Sequence, residues 1–275
     1  MDMIAVNGAE LCALTLGSQD EAGAPPLVML HGMVSGNLAS WYTAYALPLS
    51  AQRQVLLYDQ RGHGSSSLPS SGFDLDRQSE DLAAVLAHYG HGDEPVDLVG
   101  HSMGALIALH FALRWPQRVH RLVLVDAPMP AAEHVGPSLR GLTTPEALDA
   151  HLAATMPQIA GLKGRRRERQ QQRLSSLFFA STLVADVLAM AAEPEAALRA
   201  LALPVLLVYG QHSPCRAAGE ALQRLLPQAE LVWLDGGHYL PEETPAALLA
   251  ELQRFLEPAA MPPPAFTKAP AHIHP

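Results

Sequence analysis

Cys12 and Cys215 are the only cysteines in 275 residues. That excludes a disulfide framework, and neither lies in a CxxC or a Cys/His cluster of the kind that holds a metal. Charge is sparse too, at 16% of the chain, and it leans acidic, with 27 Asp and Glu against 18 Lys and Arg. A formal net charge of −9 offers nothing to nucleic acid. No apolar run reaches the ~20 residues of a membrane span, and the opening MDMIAVNGAE has neither the basic stretch nor the apolar run of a secretory signal. These absences predict a cytoplasmic protein of a reducing compartment that acts on a small molecule, with no metal, cofactor, nucleic acid or membrane. Monomer and homodimer both stay open. Apolar residues are not scarce: at 49% they supply a sizeable core.

They come in short strand-like runs: Leu27–Leu30, Val55–Tyr58, Val96–Val99, Arg121–Val125, Val205–Tyr209 and Glu230–Leu234. Helical stretches separate them at about 38–49, 74–89, 103–113, 217–226 and 245–256. Two further strands flank the hairpin signal Asn7-Gly8. The alternation predicts an α/β fold, a mostly parallel sheet with helices on both faces. It stops near Met129 and resumes after Ala200. Residues 130–200, Ala-, Leu- and Arg-rich, read as a helical cap inserted into a core of 1–129 and 201–257. Within that cap, Arg165–Arg169 reads as a solvated helix face. The Pro-rich residues 258–275 read as a disordered tail.

In open parallel sheets functional groups gather at the carboxyl ends of strands. Here those ends are His31-Gly32-Met33, Asp59 to Ser65, Ser102, Asp126, Gln211 to Ser213 and Asp235 to His238. Gly100-His101-Ser102-Met103-Gly104 stands between a strand and an Ala/Leu-rich helix, which is the arrangement of a nucleophile elbow. The glycines allow close strand-to-helix approach, and the helix N-terminus aims free N–H groups at an oxyanion. Thirteen histidines are present. Most have ordinary explanations: His101 as the elbow's variable position, His110 within a helix, His272 and His274 in the tail. His238, after two glycines beyond the last strand, is the expected general base.

The pieces LVMLHGM, LLYDQRGHGSS, LVGHSMG, LVLVDAP, LLVYGQHSP and LDGGHYLPEETP together resemble the α/β-hydrolase superfamily over nearly all of residues 3–257. The resemblance implies the α/β-hydrolase fold: an eight-stranded, mostly parallel sheet with a cap inserted after the sixth strand and an active site beneath it. It also implies a catalytic triad in the order Ser, Asp, His. One piece departs from the pattern. Many members carry the acid after the seventh strand, where this chain has Ser213, and a serine cannot stabilise an imidazolium. Asp126, at the end of the sixth strand, is the expected replacement, a position some haloalkane dehalogenases use; Asp235 is the rival. The oxyanion hole is expected from the N–H groups of Met33 and Met103. His31, Trp41, Ser213 and Tyr239 are the expected pocket residues.

A serine nucleophile fits a serine esterase, lactonase, thioesterase or carbon–carbon bond hydrolase, and it excludes aspartate-based relatives. The stretch from Asp59 to Ser66 also resembles proline iminopeptidases. Those carry Gly-Gly-Pro-Gly where this chain has Gly32-Met33-Val34-Ser35, which argues against a peptidase. The reading is a carboxylic ester hydrolase of a small to medium apolar substrate, working through an acyl-enzyme. The alternatives are a biosynthetic acyltransferase or cyclase on the same triad, and a ligand-binding protein with little turnover.

Overall fold

β-Branched and leucine-rich runs become strands wherever both faces are covered. The computed structural model, which describes residues 1–18, 24–34, 36–155 and 161–257, shows this for the central runs and adds Glu230–Leu234 as a half-covered edge strand. The tail at 258–275 lies outside the described residues. The strands are β1 (Asp2–Val6), β2 (Ala9–Leu16), β3 (Leu27–Leu30), β4 (Val55–Tyr58), β5 (Val96–His101), β6 (Val119–Val125), β7 (Val205–Gly210) and β8 (Ala229–Leu234). They form one sheet in the order β1-β2-β4-β3-β5-β6-β7-β8. β2 runs antiparallel to both its neighbours, and all pairs from β4 to β8 are parallel. Asn7 and Gly8 both take positive φ, 40° and 78°, as a tight hairpin between twisted strands requires.

Successive strand residues point to opposite faces, so each central strand feeds two cores. Val28, Leu30, Leu98, Leu122 and Leu124 pack on one side with the helices Leu75–His88 and Met103–Arg114. Leu27, Met29, Val99, Val123 and Val208 pack on the other, with the helical stretch 39–49 and the helix Pro245–Leu256. The helix Leu75–His88 starts where Asp74 accepts a hydrogen bond from Arg77 N–H at 2.8 Å, an ordinary N-cap.

The stretch 39–49 differs from a plain helix. Its middle, Tyr42–Ala46, is π-helical, and Leu47 N–H reaches back to Tyr42 O. Pro48 has no N–H to give to Ala44, so the α-ladder cannot close there. Between β6 and β7 lie the helices Ala131–His134, Gly136–Arg140, Pro145–Thr155, Gly164–Phe179, Leu183–Ala189 and Glu195–Ala200. They are tied to the sheet's loops: Arg173 donates to Gly62 O and Ser66 O, and Asp186 accepts from Phe73 N–H. Arg165–Arg169 are exposed on one of these helices.

Register is what positions the site. Leu30 is level with Gly100, His101 with Val125, and Val125 with Val208. The loops that begin at His31, Ser102 and Asp126 therefore leave the sheet side by side.

Candidate active site

Ser102 sits at the turn between β5 and the helix Met103–Arg114, with φ 53° and ψ −117°. A non-glycine residue is rarely held at positive φ, and its surroundings hold it there. Its N–H donates to Val125 O at 2.9 Å, and its carbonyl receives Ala105 and Leu106 N–H. Gly100 and Gly104 have no room for a side chain: a Cβ on Gly104 would overlap the carbonyl oxygens of Leu30 and His31, and one on Gly100 would strike Gly104 O. Met103 opens the helix, so its N–H has no intrahelical acceptor. The loop after β3 presses on the same serine, since a Cβ on Gly32 would lie 3.3 Å from Ser102 Cβ and 2.9 Å from His101 Nδ1.

His238 Nε2 lies 2.9 Å from Ser102 Oγ, and its Nδ1 lies 2.6 Å from Asp126 Oδ2. Asp126 is wholly buried. Its carboxylate also receives Ser213 Oγ–H at 2.5 Å and Gly210 N–H at 3.0 Å, while its own N–H donates to Val208 O. A carboxylate can only accept, so His238 carries its proton on Nδ1 and offers a lone pair to Ser102. Asp235 points away to the surface, where it pairs with His212 at 3.1 Å, and it does not reach His238. Ser213 does not line the cavity as expected. It is buried behind Asp126, and it takes Cys215 N–H on its oxygen at 3.0 Å.

Three further histidines hold the loops in place, and the sequence singled out none of them for this. His101 Nε2 donates to His238 O at 2.8 Å and so pins the backbone of His238. His31 donates from Nδ1 to Gly32 O at 2.7 Å and accepts Gln60 N–H on Nε2 at 3.0 Å. His63 donates to Arg61 O at 2.9 Å and accepts Val34 N–H at 3.3 Å. Burial pushes His31 and His101 down to about 4 and His63 down to about 3, so all three are neutral. Neutral rings are what the arrangement needs, because each of His31 and His63 must accept at one nitrogen. The only signal for them in the sequence was their position in Gly- and Ser-rich strand-end loops.

Above Ser102 opens a cavity of about 330 Å³. His31, Met33, Trp41 and Tyr239 line it with Ser102 and His238, as do Val135, Leu139, Leu142, Leu148 and Phe178 from the helices between β6 and β7. Trp41 and Met33 thus face the space that the sequence assigned to substrate, whereas the side chain of Met103 does not. Tyr45 donates to Pro241 O at 2.8 Å, which fixes the π-helical stretch beside this wall. Among the described lining residues there is no Lys or Arg; the one formal charge is Glu242.

The alpha/beta hydrolase fold family matches residues 25–143, which include β3, the elbow and β6. Together with the sheet order and the elbow, this decides the fold. The chain has the α/β-hydrolase fold. A 2-(acetamidomethylene)succinate hydrolase of Mesorhizobium japonicum is 25% identical over 89% of this chain and 92% of its own length. A putative carbamate hydrolase of Cronobacter turicensis is 37% identical, but over 106 residues, 38% of each chain. A thermophilic esterase of Thermogutta terrifontis superposes with a TM-score of 0.71 at 25% identity, covering 92% of this chain and 96% of that one. Within this fold, Cys215 was also passed over by the sequence reading. It lines the cavity with its Sγ 3.8 Å from His238 Nδ1.

Proposed function

We propose that this chain is a serine hydrolase that cleaves a carboxylic ester, lactone or thioester of a neutral, small to medium apolar substrate. The observation that carries the reading is the unbroken hydrogen-bonded chain from Ser102 through His238 to Asp126 at the floor of an apolar cavity. Ser102 attacks the carbonyl carbon as its proton passes to His238 Nε2, and Asp126 stabilises the imidazolium. Backbone N–H groups of Met33 and Met103 receive the oxyanion; one such donor is typically worth about 3–4 kcal/mol. His238 then protonates the leaving group, and water activated by the same nitrogen releases the acyl group. Residues 130–200 act as the cap that walls the acyl pocket.

Neutrality of the substrate follows from the lining. The relative from M. japonicum is named for a succinate, and carboxylates call for cationic partners. The described lining has no Lys or Arg to hold one, and burial lowers its His31, His101 and His151 toward the neutral form. Fluorophosphonate labelling read by intact mass, with p-nitrophenyl esters of increasing acyl length, tests the reading. Ser102→Ala is expected to abolish labelling and lower kcat by roughly 10⁴–10⁶. Asp126→Asn is expected to cost about 10⁴ in kcat with the fold intact. A wild-type chain that neither labels nor turns over any ester sinks the proposal.

A further inference from the structure

Cys215 has no part in the serine mechanism, yet its thiol faces the base. It lies just beyond β7, and the fold brings it against His238 and Asp126, so that one donor atom from each of the three lies within 4.8 Å of the others. Burial, then the neighbouring Asp126 charge, pushes the thiol up to about 12, which makes it a poor nucleophile and a poor target for oxidation. A soft metal ion can still displace that proton, because thiolate, imidazole and carboxylate together are a zinc-type donor set.

We propose that Asp126, Cys215 and His238 form an inhibitory site for a thiophilic divalent cation, zinc above all. Usual bond lengths of about 2.3 Å to sulfur and 2.0–2.1 Å to nitrogen turn the 3.8 Å gap between Cys215 Sγ and His238 Nδ1 into a bond angle of about 120°. Asp126 Oδ2, at 2.6 Å from Nδ1, is spaced for a hydrogen bond and must draw back by about 0.8 Å to share the ion tetrahedrally. Water completes the shell. Cys215 and His238 both line the cavity, so the ion enters by the substrate's route.

The proton balance explains the inhibition. Free His238 holds its proton on Nδ1. When the metal takes the Nδ1 lone pair, that proton leaves and Nε2 acquires one from solvent. The thiol proton is released, for a net loss of one proton per ion bound. Nε2–H then faces Ser102 Oγ as a donor, and no base remains to activate the serine.

The inhibitory half of the proposal rests on the serine-hydrolase reading; the site itself does not. The test titrates full-length protein with Zn²⁺ during ester turnover and fluorophosphonate labelling, and with Co²⁺ for the thiolate-to-cobalt absorption band. Cys215→Ala and Cys215→Ser are run alongside, each referred to its own metal-free rate and checked for fold by circular dichroism. The expected result is zinc inhibition reversed by a chelator, protection of Ser102 from labelling, and a cobalt–thiolate band in the wild type alone. Loss of outer-shell groups already costs about 10–100-fold in metal affinity, so removing the thiol should raise the zinc inhibition constant at least about 100-fold. Equal zinc sensitivity in wild type and both variants, or a wild type that hydrolyses normally and ignores zinc, overturns the site. A chain inert to esters that still shows the band overturns the hydrolase reading and leaves the site standing.

Discussion

Ser213 stands where a carboxylate is usual in α/β-hydrolases, and its hydroxyl is spent on the carboxylate that replaces it. Asp126 has three donors around it: His238 Nδ1, Gly210 N–H and Ser213 Oγ. A buried carboxylate that loses one of these is less firmly held and less well solvated, while its charge remains. Ser213→Ala is therefore expected to lower kcat/KM about tenfold, chiefly through kcat, because the imidazolium forms only on the way to the transition state. Ser213→Asp should be worse, since it sets a second negative charge against the first. An unchanged kcat in Ser213→Ala would reduce Ser213 to a packing residue.

The elbow is an element whose shape depends on missing side chains. A Cβ on Gly104 meets backbone carbonyls of Leu30 and His31, not the yielding tip of a side chain. Gly104→Ala must push β3 and the elbow helix apart, and it is expected to cost about 3 kcal/mol or more, read from urea unfolding. A second device joins three segments. His110 on the elbow helix contacts Glu193 at 2.6 Å and Asp76 at 3.1 Å, linking the end of the inserted helices to the helix Leu75–His88. The hydrogen bond to Glu193 raises the His110 pKa, against the opposing effect of burial, with Asp76 adding to it. A raised histidine contributes stability fully below its unfolded pKa and loses it as pH rises through the folded one. Thermal melts of His110→Gln should fall below wild type near pH 6, with the gap closing at alkaline pH. A gap that is constant with pH would remove the charge from the explanation.

For the whole molecule the opposite case dominates. His31, His63 and His101 are buried neutral, at about 4, 3 and 4, where a free imidazole has 6.5. The unfolded chain binds protons in that window and the folded chain does not, so the stability they contribute is present above pH 6.5 and drains away as pH falls toward 4. Burial lowers His151 in the same direction, whereas the raised His110, Asp81 and Glu242 oppose the loss. Urea midpoints should hold steady above about pH 7 and fall steeply between about pH 6 and 4, with activity following, since all three rings position the loops around Ser102. A flat profile across that range would mean that these rings are hydrated or protonated in the native state.

The strand runs, the hairpin at Asn7-Gly8 and the helix limits were legible because each follows from local pattern: apolar runs between turn residues, Asp74 as a cap, Pro245 at a helix start. The helix over 38–49 was legible only as helix, since its π-helical stretch turns on the single missing N–H of Pro48. Ser102, His238 and Asp126 could be named as candidates because a parallel sheet collects its strand ends along one edge, and the order of those ends is written in the chain. The distances between them could not be. Asp126 and His238 are 112 residues apart, and whether Asp126 or Asp235 came to lie beside His238 depended on where β6 stops relative to β7 and on which way a loop turns after β8. Register decided that choice, and in doing so it also buried Ser213 behind the carboxylate. The same packing set Cys215 beside the base and made His31, His63 and His101 into neutral pins. A side chain's type is local, but its protonation and its partners belong to the environment that folding builds around it, and no spacing along the chain records that environment.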